Sequence, residues 1–158
     1  MQTTPQTITM AFTAVLWSLC TQAFGASNVL AEFKSKGPAL ILSTFHEPKE
    51  PPPNKVGIIG IIDGARRNSF VFGLDQVQEL LELWTKALAI ASENEELAGT
   101  ILETGTEDDL HLVLLGGRDI TFVLASRQNG ALKASLTRAD AARFEEAMQR
   151  IKTFLQSN

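Results

Sequence analysis

The chain is short of the residues that build reactive centres. Its 158 residues include one cysteine, Cys20, and two histidines. A single thiol leaves no intrachain disulfide and no all-cysteine zinc site, and in its apolar run Cys20 reads as a small buried hydrophobe. His46-Glu47 opens like a zinc-protease helix, but Pro48 forbids that helix and no second histidine follows it at the required spacing. His111 stands beside Asp108 and Asp109 and reads as a strand residue. No serine sits in a nucleophile elbow, and nothing supplies a paired base and orienting acid. The glycines at 57, 60 and 64 precede a strand, not the helix a dinucleotide fingerprint needs. The acids from Glu103 to Asp109 lack calcium-loop spacing. No catalytic residue, metal or cofactor is therefore expected, and the chain reads as a non-enzyme, with carboxylates gathered only in space as the open exception.

A surplus of positive charge is also missing. Fourteen Lys and Arg face eighteen Asp and Glu, a net charge of −4. That balance excludes wholesale wrapping of duplex DNA, though not a local basic strip. Residues 1–31 carry no charged side chain, and Met10 to Cys20 form an apolar run followed by Ala23-Phe24-Gly25. The pattern is that of an export signal without its usual leading Lys or Arg, or of an apolar strand or helix docking on the domain. The run is shorter than the roughly 20 residues needed to cross a bilayer, so no integral membrane span is expected. Residues 1–28 are read as an apolar N-terminal segment and 29–158 as one domain. Its place is the cytoplasm or nucleoid, or outside the cell if residues 1–25 are cleaved.

What the chain does contain is β-rich and punctuated. Val29 to Lys34, Ala39 to Phe45, Val56 to Ile62 and Ser69 to Leu74 read as strands. A stiff proline loop from Glu47 to Asn54 and the Asp63-Gly64 turn separate them. Asp75, with Gln78 as partner, reads as the N-cap of a helix whose stripe is Val77, Leu80, Leu81, Trp84, Leu88 and Ala91. The order then repeats. Leu97 to Glu103, Leu110 to Leu115, Ile120 to Ala125 and Leu132 to Leu136 are strands, with Asn129-Gly130 a hairpin signal. Thr137 to Asp140 reads as a capping box before a helix presenting Ala141, Phe144, Met148, Ile151 and Leu155.

The prediction is an α+β fold of two pseudo-repeats, 29–92 and 97–155, each four antiparallel strands and a packed amphipathic helix. Val56 to Ile62 and Leu112 to Leu115 are apolar at consecutive positions, where a sheet with one wet face would alternate. Both sheet faces should then be covered by the partner half, by the N-terminal segment or by another subunit. Self-association through a sheet face or the helices is expected.

The bases Lys34, Lys36, Arg66, Arg67, Arg118 and Arg127 fall near strand ends and turns, while seven acids and no base occupy Glu93 to Asp109. One reading is a positive rim for phosphate, with Phe33 and Phe45 as stacking platforms for unpaired bases. The other is that turns merely solvate charge.

The segment Phe33-Lys34-Ser35-Lys36-Gly37-Pro38-Ala39-Leu40 resembles the Lys-Gly-Lys-Ala-Ala-Leu strand motif of the Whirly family of single-stranded-DNA-binding proteins, with one residue inserted and Pro38 interrupting it. The pattern of elements over 29–155 is similar to that family's two β-β-β-β-α units with helices packed between sheets. Pur-alpha repeats share the same order. The resemblance implies an oligomeric, non-enzymatic binder of single-stranded nucleic acid. The alternative is an exported or structural subunit that binds protein through its apolar face.

Overall fold

A computed structural model describes residues 26–34, 37–47, 54–102 and 110–157. The readings made for residues 1–25, for Lys36 and for the acidic turn 103–109 lie outside the described residues. The strands are β1 (Ala26–Lys34), β2 (Ala39–Glu47), β3 (Asn54–Asp63) and β4 (Arg66–Phe72), then β5 (Glu96–Leu102), β6 (His111–Gly116), β7 (Ile120–Ser126) and β8 (Gly130–Leu136). Helix α1 (Leu74–Ala89) follows β4. Helix α2 (Ala141–Gln156) follows β8 after a 3-10 turn, Arg138–Asp140. The strands form two antiparallel meanders, β1-β2-β3-β4 and β5-β6-β7-β8, so the α+β architecture in two halves is as the sequence predicts.

The helix starts differ from expectation. Strand β4 ends at Phe72, whose ring is buried, and the chain turns at once. Gly73 is therefore the N-cap of α1, Gln76 Oε1 accepts the Gly73 N–H at 3.4 Å, and Asp75 lies in the first turn. At α2 the Thr137 hydroxyl donates to Asp140 Oδ2 at 3.2 Å, and the 3-10 turn delays the α-helix to Ala141.

The packing is reciprocal. Helix α1, at the end of the first half, lies mainly on β5 and β6 of the second sheet, and α2 lies on β1, β2 and β3 of the first. Glycine permits the close approaches. A Cβ on Gly99 would meet Leu83 of α1, and one on Gly116 would strike the Ala87 carbonyl oxygen and the Ile90 side chain. Between the sheets the helices meet each other. The Trp84 ring of α1 stacks on Phe144 of α2 at 4.1 Å, Phe122 of β7 lies 5.3 Å from Phe144, and Trp84 Nε1 donates to Glu145 Oε1 at 3.0 Å. One apolar cluster thus runs through both halves.

Repetition extends into the register. The buried positions Val77, Leu80, Leu83, Trp84 and Ala87 of α1 correspond to Ala141, Phe144, Ala147, Met148 and Ile151 of α2. Each sheet begins with an edge strand interrupted at the same place, between Val29 and Ala31 in β1 and between Leu97 and Gly99 in β5. Beyond these irregularities Phe33 pairs with Leu40, as Ile101 pairs with Leu112. Loop lengths have drifted while the core geometry has not.

Each helix has a cation at its C-terminal end, where carbonyls lack intrahelical partners. Arg138 donates to Leu88 O at 2.8 Å, Ile90 O at 2.6 Å and Gly117 O at 2.8 Å. Lys55 Nζ donates to the Ser157 hydroxyl at 2.8 Å beyond α2. Both contacts again join one half to the other.

Because the backbone of α1 blocks the place of a side chain at Gly116, Gly116→Ala should lower stability by about 1–3 kcal/mol. The urea midpoint of a single cooperative transition measures it, and an unchanged midpoint would remove this account of the α1 contact.

Candidate nucleic-acid interface

Strand alternation divides each sheet into an inner face of fully buried side chains and an outer one. On the first sheet Leu40, Leu42, Ile59, Ile61, Phe70 and Phe72 point inward. The outer face carries Ile41, Ser43 and Phe45 of β2, Val56, Ile58 and Ile62 of β3, and Val71 of β4, most of them half-buried. Among the described residues neither helix covers this face. The Ser43 hydroxyl on it is buried and, among the described residues, has no hydrogen-bond partner.

The turns bring part of the predicted basic set together. Register places Lys34, Ala39, Ile62 and Arg67 in one row across the outer face. At usual strand spacing Lys34 and Arg67 stand about 14 Å apart. The β7–β8 turn of the second sheet docks beside β4: Arg66 Nη2 donates to Asn129 O at 2.9 Å, and Asn129 Nδ2 to Arg67 O at 3.4 Å. Arg127 belongs to that same turn, so the two hairpins that carry Arg66, Arg67 and Arg127 meet at one corner, with Arg67 on the outer face and Arg66, like Asn68, on the inner side by register. Beneath them Asn68, 4% exposed, donates to Leu124 O at 2.7 Å and Gly130 O at 3.0 Å, fixing the two sheets together.

Other predicted residues lie elsewhere. Arg118 is in the β6–β7 turn, at the opposite end of β7 from Arg127, and does not join the corner. Phe33 is a correction: at 4% exposure it is core, 6.4 Å from Phe144, with the Arg143 guanidinium 4.8 Å above its ring. Inward alternation on β1 puts it there, so it offers no stacking surface. Phe45 lies half-buried on the outer face, six residues or about 20 Å along β2 from Ala39. Lys34 is exposed and ion-pairs with Glu32 at 3.2 Å, a surface contact of small energetic weight.

Asn68 and Asn129 were not visible as site residues. The Asn129-Gly130 pair announced a hairpin, but its docking on β4 is a tertiary event. Lys133 is likewise a base the sequence reading passed over. On the outer face of the second sheet it bonds Glu95 Oε2 at 2.6 Å, while Thr121 donates to Glu95 Oε1 at 2.8 Å and lies 3.0 Å from the Ser135 hydroxyl. Hydrogen bonding from Lys133, then from Thr121, holds the Glu95 carboxyl below the ordinary glutamate value, against the smaller opposing effect of burial. This neutralised cluster makes the second sheet's outer face unlike the first.

Among the described residues no group of three or more His, Cys, Asp or Glu is arranged to hold a metal ion, and no helix is long and apolar enough to cross a membrane. No family model matches the chain, and no curated protein matches it.

A depressed carboxylate stabilises the fold above its unfolded value and loses that contribution as pH falls through its folded value. The stability gap between the protein and Glu95→Gln should therefore be level at neutral pH and close once pH drops below the ordinary glutamate value of 4.5. Urea midpoints across the acid range measure it; a gap that widens in acid would contradict the assignment.

Proposed function

We propose that the chain is a non-enzymatic, self-associating protein that binds single-stranded nucleic acid along the outer face of its first sheet. The ligand class comes from the Whirly resemblance, and its location from the surface. The observation that carries the reading is the meeting of the hairpins of Arg66, Arg67 and Arg127 at one corner, with Arg67 in line with Lys34 across the outer face. Cations at the end of a strand row suit a phosphate backbone, and the apolar surface beside them suits the faces of unpaired bases. Phe45 is the half-buried aromatic side chain on that face. Tethering of Arg66 through Asn129 pre-orders the corner, which lowers the ordering cost of binding.

A second reading has its own observation. Val29, Leu97 and Leu102 are large apolar side chains at 46%, 64% and 54% exposure on the two edge strands. Such residues favour protein partners or further copies of the chain at the sheet edges.

Fluorescence anisotropy with a labelled oligothymidine tests the first reading. Binding should appear at about 50 mM salt and weaken as salt rises. Replacing Arg66, Arg67 and Arg127 by Gln should reduce the log–log salt slope by up to about 2, at ~0.7 for each phosphate that is no longer neutralised. Phe45→Ala should cost about 1–3 kcal/mol of binding with little change in slope. Absence of binding at low salt overturns the proposal.

A further inference from the structure

The internal repeat supplies a template against which one half is incomplete. In the first half, the groove between α2 and edge strand β1 is filled by Arg143. Its guanidinium lies over the Phe33 ring, donates to the Glu32 carbonyl oxygen at 3.2 Å, and pairs with Asp140 at 3.0 Å. A carbonyl of the edge strand is thereby occupied from within the chain, and Glu32 and Lys34 place charge along it. Edge strands guarded in this way resist pairing with other chains.

The corresponding groove of the second half lies between α1 and edge strand β5. By the correspondence of buried helix positions, Arg143 is replaced there by Glu79 and Asp140 by Gln76. By strand register, Glu32 is replaced by Thr100, Phe33 by Ile101 and Lys34 by Leu102. Asp75, Gln76, Glu79, Thr100, Ile101 and Leu102 line an open cleft of about 430 Å³. The helix that fills its own groove with a guanidinium in one half thus offers two carboxylates and a vacancy in the other. Among the described residues Asp75 and Glu79 take part in no ion pair. Strand β5 carries no Lys, Arg or Pro, among the described residues pairs only with β6, and exposes Leu97 and Leu102 on its outer face. Beyond the interruption between Leu97 and Gly99 its outer stretch, Thr100 to Leu102, has no charge or proline to guard the edge.

We infer that the free edge of β5 is a docking site for an extended, arginine- or lysine-bearing peptide segment of another protein. The segment adds as a strand to β5 and places a cationic side chain in the cleft between Asp75 and Glu79. Backbone pairing gives affinity, and alternate side chains give specificity, as in other strand additions. A guanidinium there takes the place that Arg143 fills in the first half, with Asp75 and Glu79 as its partners. Charge argues against a second copy as occupant. Antiparallel pairing of β5 with itself would bring two acidic clefts together, with no base on either strand to offset them. Strand β1 of another copy already gives a carbonyl to its own Arg143. The inference is independent of nucleic-acid binding, which uses the arginine corner and the first sheet.

The test uses the full chain and labelled peptides of about ten residues, a strand-length segment. One alternates valine with arginine, a second replaces arginine by glutamate, and a third replaces valine by glycine at the same charge. Anisotropy should show binding of the valine–arginine peptide alone. Hydrogen exchange should show new protection of amides in β5. Glu79→Arg, which installs the residue of the first half, should weaken binding at least about tenfold, and Glu79→Gln by about threefold to tenfold. Glu79→Gln keeps the test decisive should the charge reversal unfold the chain. Equal binding of the glycine–arginine peptide would mean diffuse charge attraction and overturn the inference. So would undiminished binding by Glu79→Gln, protection outside β5, or concentration-dependent protection of β5 without peptide, which would assign the edge to a second copy.

Discussion

Everything in this molecule depends on the exchange of helices between its halves. A four-stranded meander with one apolar face is not stable by itself, and each sheet here takes its cover from the helix encoded by the other half. The Trp84–Phe144–Phe122 stack is the centre of that arrangement because its three rings come from α1, α2 and β7. Stacked rings contribute about 0.5–1.5 kcal/mol per pair beyond the area they bury. Their larger effect is to make the order of one half a condition for order in the other. Arg138 capping α1 and Lys55 capping the end of α2 repeat the same logic in polar contacts.

With the inner faces committed to this core, difference between the halves is left to outer faces and edges. The first half has gathered bases at its turns, while the second has neutralised its outer face around Glu95 and put acid beside its edge strand. The two hairpins that meet at Asn68 and Asn129 lie where the sheets touch, so the arginine corner exists only in the assembled pair. A duplicated core can keep its geometry while its two surfaces acquire different ligands, because surface substitutions rarely move stability by more than about half a kcal/mol.

Much of the fold was legible. Alternation and turn residues located all eight strands, and the stripes through Val77, Leu80 and Trp84 and through Phe144, Met148 and Ile151 located both helices. The consecutive apolar runs in β3 and β6 pointed to cover on both sheet faces, yet β6 alternates half-buried with buried side chains, and among the described residues neither helix covers the outer face of the first sheet. The rest was not legible. Which sheet each helix covers depends on long-range packing that no local pattern encodes; Gly99, expected within a strand, and Gly116, expected just past one, mark those approaches only once the fold is known. The N-cap of α1 shifted from Asp75 to Gly73 because burial of Phe72 fixes where β4 stops. Of the basic residues, Arg66, Arg67 and Arg127 come to one corner, on different faces of it, because one hairpin docks on another. Phe33 left the expected binding set because a single residue's parity on β1 turns its ring inward. Asp75, expected as the N-cap of α1, and Glu79 line a cleft whose counterpart is seen only in the groove that Arg143 fills.

The interlocked core is tested most directly by native-state hydrogen exchange in rising urea, read separately for the inner strands of each sheet and for α1 and α2. Reciprocal packing predicts that the slowest amides of Leu42, Ile59, Trp84, Leu114, Phe122 and Met148 merge into one opening with a single free energy and a single urea dependence. If the first sheet opened at low urea while the second sheet and α1 stayed protected, the halves would be independent and the account built on their exchange would be wrong.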